Sequence, residues 1–181
     1  MRLIKLIKPS ENDVFYDLGC GYGSPCIWIA PIVRRAIGIE DHYFRFLRAR
    51  QEVKNAELHN VTIKWSDITK VSYRDATILY SVISIGFEVL RKIQKQTKKQ
   101  ALIVLYGLPP FPVKSTRLTG NFYQMTTPFE RVKDENEFAR IHLRRKDATM
   151  KELLRSIDAE QREDLKREIK QAESNWKSLT K

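Results

Sequence analysis

Val14-Phe15-Tyr16-Asp17-Leu18-Gly19-Cys20-Gly21-Tyr22-Gly23 carries the strongest structural signal in the chain. Its first half reads as a buried strand that ends in an acid. The glycines then make a tight turn, and Ser24-Pro25 supply an N-cap and a first helical residue. Glycines at alternate positions permit positive φ and remove the Cβ atoms that would hold a ligand off the backbone. Asp17 at the strand tip offers an acceptor for a cationic group, so the implied ligand is amphoteric and nucleotide-like.

Outward from this loop the chain alternates strands with helices. Met1 to Lys8 reads as the end of a helix packed on a sheet, and residues 9–13 turn into the first strand. After the loop helix, which Pro31 should end early, come a second strand at Ala36–Glu40 and an amphipathic helix at Tyr43–Ala56 with Phe44, Leu47 and Val53 inward. A third strand spans Val61–Trp65. Ala76–Val82 and Ala101–Tyr106 have the continuous apolar character of central parallel strands, with a helix at Ser84–Gln96 between them. Past Pro109-Pro110-Phe111-Pro112, residues 122–133 and 137–146 read as two strands around the charged turn Lys133-Asp134-Glu135-Asn136. The fold class expected is α/β: a doubly wound, Rossmann-like, seven-stranded sheet with a terminal antiparallel hairpin and a C-terminal helical extension. Residues 1–146 form the sheet domain in this reading. In residues 147–181, Met150, Leu153, Leu154 and Ile157, then Leu165, Ile169, Ala172, Trp176 and Leu179, fall at helical spacing amid mixed charge. They imply one long helix or a helical pair, with Asp158 as a possible second cap, lying on the domain, on a partner or on a second copy.

The glycine loop has two competing readings. A dinucleotide site requires G-x-G-x-x-G, and Ser24 stands where the third glycine belongs. The pattern present is D-x-G-x-G-x-G. With Asp17 leading it and Ala36-Ile37-Gly38-Ile39-Glu40 as the next strand, the run resembles the first two motifs of class I S-adenosylmethionine-dependent methyltransferases. The order of motifs and the short single-domain sheet are most similar to the small archaeal protein-lysine methyltransferases. The resemblance implies S-adenosyl-L-methionine as cofactor, with Gly19, Cys20, Gly21 and Gly23 against its methionine part and Asp17 at its amino group. Glu40 would take the ribose hydroxyls, with Asp41 beside it, and Asp67 and Ile68 would meet the adenine. Tyr80 and Ser81 then fall on the acceptor side. Glu88, or a backbone carbonyl near Ser81, is the place for a base. Tyr22 departs from the family pattern, which has an acid there. The helix before the first strand is short for the family, which points to a start further upstream or to an open site.

Composition narrows the function classes. No apolar run approaches the ~20 residues of a membrane span, and Met1–Lys8 is too short and too charged for a secretory signal. Cys20 and Cys26 lack metal-ligand spacing, and His42, His59 and His142 form no ligand cluster in sequence, so no metal is expected and a cytoplasmic setting is. The net charge of +11 belongs wholly to residues 1–146, which hold 25 basic and 14 acidic residues. Arg91, Lys92, Lys95, Lys98 and Lys99 are the densest run, a face that suits nucleic acid, an acidic protein or plain solvation. Leu108-Pro109-Pro110-Phe111 looks like the signature of amino-directed nucleic-acid methyltransferases, but it follows the fifth strand and lacks the Asn or Asp that accepts from a base amine. Pro25-Cys26 resembles the nucleophile pair of cytosine C5 enzymes, yet sits on the glycine loop. Three functions follow in order: methylation of protein lysines, methylation of RNA or another acceptor, and a non-catalytic methyltransferase-like subunit.

Overall fold

The computed structural model describes residues 2–97 and 100–180. Helix α1 (Arg2–Ile7) lays Leu3, Leu6 and Ile7 on one face of the sheet. Strands β1 (Val14–Leu18), β2 (Arg35–Glu40), β3 (Val61–Trp65), β4 (Ile78–Ser81) and β5 (Leu102–Tyr106) run parallel. The helices α2 (Ser24–Ile29), α3 (Tyr43–Asn55) and α4 (Phe87–Gln96) lie among them in the chain. Strands β6 (Thr116–Arg117) and β7 (Phe122–Thr126) complete a seven-stranded sheet in the order β3-β2-β1-β4-β5-β7-β6, with β7 antiparallel to both neighbours.

Both faces of the sheet are covered, so the central strands are buried along their length rather than alternating. All five residues of β1 and all four of β4 are buried. Along β1, Val14, Tyr16 and Leu18 face a cluster that includes Val89, Leu90 and Ile93 of α4, while Phe15 faces α1 and α2. Strand order reverses where β1 meets β4, and open α/β sheets bind ligands in the crevice at such a point.

The structure corrects two expectations. Residues 137–146 are not a strand: most of them belong to α5 (Glu135–Leu143), and the antiparallel hairpin is β6–β7, between 116 and 126. The charged run mistaken for a turn is a helix N-terminus. The Asp134 carboxylate accepts from Glu137 N at 2.7 Å, and Phe138, Ala139 and His142 fall on one buried stripe. In α3 the inward residues are Ala49 and Val53, while Phe44 is 74% exposed and Leu47 40%.

The C-terminal residues form a helical pair, α6 (Met150–Ser156) and α7 (Ala159–Thr180). Thr149 and Glu152 make a reciprocal capping box at the start of α6, and Asp158 accepts from Gln161 N at 2.8 Å at the start of α7. Leu165 and Ala172 of α7 pack with Phe111, Phe138 and Leu153, and Leu179 reaches the main core beside α4. The pair therefore packs within the chain. Lys98 and Lys99 of the basic run lie outside the described residues.

Candidate active site

Asp17 ends up on the same face of the sheet as its register partners Gly38 on β2 and Tyr80 on β4, with Glu40 two residues beyond Gly38. Gly38 has a packing reason to be glycine. A Cβ there would stand 2.7 Å from Cys20 Sγ and 2.8 Å from Ile63 Cδ1, so its absence lets the loop fold down on the sheet. Gly19, Gly21 and Gly23 all have positive φ, at 80°, 55° and 81°. Gly19 is also crowded: its Cβ would lie 3.0 Å from Ile83 Cδ1, just past β4.

The loop's amides turn inward. Gly19 N and Cys20 N both donate to Ile39 O at 2.9 Å, and Gly23 N donates to Cys20 O at 2.8 Å. Gly21 N donates to Glu40 Oε2 at 2.8 Å, and His42 N donates to Glu40 Oε1 at 3.0 Å. A pyrophosphate needs outward-pointing amides at a helix N-terminus, whereas the Gly19, Cys20, Gly21 and Gly23 amides are already paired within the protein, that of Gly21 with the Glu40 carboxylate. The loop geometry therefore disfavours the dinucleotide reading. What the loop presents instead is two acids: Glu40, held by backbone donors and 3% exposed, and Asp17, 1% exposed.

Asp17 Oδ2 is buried with no hydrogen-bond partner. Burial, followed by the charge of Glu40, pushes the Asp17 carboxyl up to about 8. A buried orphan oxygen of this kind is costly unless a donor or cation meets it. Burial also pushes the Cys20 and Cys26 thiols well up, reinforced by the Asp17 charge, so both stay neutral and neither is poised as a nucleophile.

The other expected residues scatter. The Cys20 side chain packs over Gly38. Asp41 is exposed, and its carbonyl accepts from Trp65 Nε1 at 2.9 Å. Asp67, past the end of β3, is exposed and accepts from Thr69 N and Oγ1 at 2.7 and 2.8 Å, which holds its carboxyl below the usual range. Ile68 packs on the core. Tyr80 stacks between Phe15 and Phe122, with centroids 6.2 and 6.3 Å away. Ser81 Oγ donates within the protein, towards Leu18 O and Ile83 O at 3.1 and 2.9 Å. Glu88 is exposed in the first turn of α4.

Sequence reasoning missed what closes the crevice. A cavity of about 330 Å³ opens at the carboxyl ends of β4 and β5, walled by Ile83, Ser84 and Leu108 on the sheet side and by Gln161, Leu165 and Glu168 of α7. A shallower groove of about 950 Å³ runs between α2 and α3, bordered by Tyr22, Trp28 and Phe44 with Arg45 and Arg48.

Among solved structures, an RNA methyltransferase from Salinibacter ruber, in complex with S-adenosyl-L-homocysteine, superposes with a TM-score of 0.59 at 26% identity. The match covers 74% of this chain and 92% of that one. The chain has the class I S-adenosylmethionine-dependent methyltransferase fold. A protein-lysine N-methyltransferase from Saccharolobus islandicus is 27% identical over 108 residues, 57% of this chain and 67% of its own. An uncharacterized RNA methyltransferase from Protochlamydia amoebophila is 44% identical over 68 residues, 38% of this chain. The chain spans only 15% of the length of that relative. No family model matches. Among the described residues no helix is long and apolar enough to cross a membrane.

Proposed function

We propose that the chain is an S-adenosylmethionine-dependent methyltransferase whose acceptor is the ε-amino group of protein lysines. The observation that carries the cofactor reading is the orphaned Asp17 Oδ2, buried at the strand-order reversal beside a glycine loop whose amides are already paired. An α-ammonium satisfies that oxygen, whereas a phosphate meets two carboxylates beside the Gly19, Cys20, Gly21 and Gly23 amides, which are already paired. Glu40, with its carboxylate fixed by Gly21 N and His42 N, keeps acceptor capacity for two ribose hydroxyls. Asp67 and Ile68 at the end of β3 are the adenine-side candidates, with Asp41 exposed beside Glu40. The cofactor, when bound, supplies an electrophilic methyl on a sulfonium. The residues of this chain hold it, keep water from its reacting end and align the acceptor. The lysine preference draws on the Saccharolobus relative and on the carboxylates of Asp164 and Glu168, which line the cavity at the ends of β4 and β5.

A second reading has its own support. The α2–α3 groove carries Tyr22 at 59%, Trp28 at 52% and Phe44 at 74% exposure beside Arg45 and Arg48, a combination that stacks bases and contacts phosphates, and two relatives are named as RNA methyltransferases. The two readings separate when purified protein is incubated with methyl-labelled S-adenosylmethionine and a cell extract. Label lost to protease and recovered as methyl-lysine supports the first, and label lost to nuclease supports the second. Cofactor binding with no transfer to either would leave a binding subunit.

A further inference from the structure

We propose that the cavity at the ends of β4 and β5 is a primary-amine acceptor pocket in which Glu168 of α7 binds the incoming ammonium and takes its proton. This rests on the lysine reading above and deepens it.

The cavity adjoins the glycine loop through one side chain: Ile83 lies against Gly19 and also lines the cavity. Ile83 is thus shared between the loop and the cavity wall. The walls suit a lysine, with Ile83, Leu108 and Leu165 for its methylene stem and, of the two acids Asp164 and Glu168, the one that no cation pairs among the described residues, Glu168, for its head. Leu108-Pro109-Pro110-Phe111, a look-alike in the sequence, has a role here: Phe111 N donates to Glu168 Oε2 at 3.2 Å and fixes the carboxylate while leaving it further lone pairs.

The titratable groups facing Glu168 across the cavity are Asp164 and Arg167 on α7 and Tyr106 at the end of β5. Asp164 and Arg167 pair with each other, so Glu168 carries the uncompensated charge. Glu88, Arg91, Lys92 and Lys95 of α4, the helix packed on α7, do not line the cavity. Burial, followed by the charge of Asp164, raises the Glu168 carboxyl to about 7, against the opposing hydrogen bond from Phe111 N. That is a suitable value for a group that must be ionised to meet an ammonium and basic enough to deprotonate it.

The step balances. A proton passes from the lysine nitrogen to a Glu168 oxygen. The freed lone pair forms the nitrogen–carbon bond as the carbon–sulfur bond breaks, and that electron pair stays on sulfur. The product leaves as a methylated ammonium, and Glu168 returns its proton to water.

The test uses the protein acceptor labelled by the wild-type enzyme. If Glu168 takes the proton, kcat/KM rises to about pH 7 and then stays level towards the lysine's own value near 10.4, because the reactive pair forms from carboxylate and ammonium. Glu168→Gln, which keeps an oxygen for Phe111 N, loses about 100-fold at pH 7.5 and then climbs about tenfold per pH unit without a plateau. Its cofactor affinity and melting temperature stay unchanged. Carboxyl NMR of the wild-type protein adds a readout free of turnover: the Glu168 signal titrates near pH 7 and moves to lower pH when an acetyl-lysyl-amide peptide is added. A wild-type profile that climbs steadily through pH 7 to 10, or a Glu168→Gln profile parallel to it, overturns the Glu168 assignment while lysine methylation stands. Label recovered in nucleotides overturns both.

Discussion

The glycine-loop half of the crevice and the half under α7 differ in how far apart in the chain their residues lie. Asp17, the loop glycines, Gly38 and Glu40 fall within one strand–loop–helix–strand unit, and all but Asp17, whose Oδ2 is left without a partner, answer a local packing or backbone need. Positive φ demands glycine at 19, 21 and 23, Cys20 Sγ demands it at 38, and two backbone donors converge on the acid at 40. The acceptor half joins Ile83, Leu108 and Glu168 from three distant segments, and nothing local distinguishes Glu168 from the other charges of its helix. A site built from backbone constraints is legible residue by residue, while one built by packing a helix across a sheet is visible only once the helix is docked.

Several substitutions probe that contrast. Glu40→Ala removes the acceptor for two ribose hydroxyls and is expected to weaken S-adenosylmethionine binding about 100-fold or more by calorimetry, at ~1.5–3 kcal/mol for each hydrogen bond to a charged group. Retained affinity would break the ribose assignment. Leu165→Ala, at 1% exposure on the inner face of α7, should cost about 2–5 kcal/mol of unfolding free energy in urea and depress transfer more than cofactor affinity. Equal losses in both would mean that the halves are not separable. Gly38→Ala pushes a methyl into Cys20 Sγ and Ile63, and a loss of about 1–3 kcal/mol with weakened cofactor binding is expected. Asp67→Ala should move cofactor affinity only a few fold, since this exposed carboxylate is occupied by Thr69.

Much of the fold was legible because its signals are local. The five parallel strands follow from apolar runs bounded by turns, and their observed ends fall within two residues of the expected ones. The hairpin is not legible because Phe122 to Lys133 carries strand-like residues past the true end of β7, and because Asp134 and Glu137, a helix-start signature, have the composition of a charged turn. Phe44 and Leu47 mislead because helical spacing gives a stripe without saying which stripe meets the sheet; Ala49 and Val53 do. The C-terminal break at Ile157 was readable from spacing and from Asp158, but that α7 lands over the ends of β4 and β5 depends on contacts with Phe111 and α4 that no local pattern encodes.

The most direct test of the account is calorimetric titration of the wild-type protein with S-adenosylmethionine between pH 6 and 8. Asp17, raised to about 8 by burial and by Glu40, is protonated in the ligand-free protein below that pH and must lose its proton to receive an ammonium. By the same shift the ligand-free protein binds more protons than its unfolded chain from about pH 4 to 8, so this group lowers stability as pH rises through that window. One site per chain is expected, with affinity rising about tenfold per pH unit, one proton released below pH 8, and no further gain beyond it, where the ligand's own α-amino group loses its charge. Absence of binding, or binding whose affinity is flat from pH 6 to 8 and unchanged in Asp17→Asn, would contradict it.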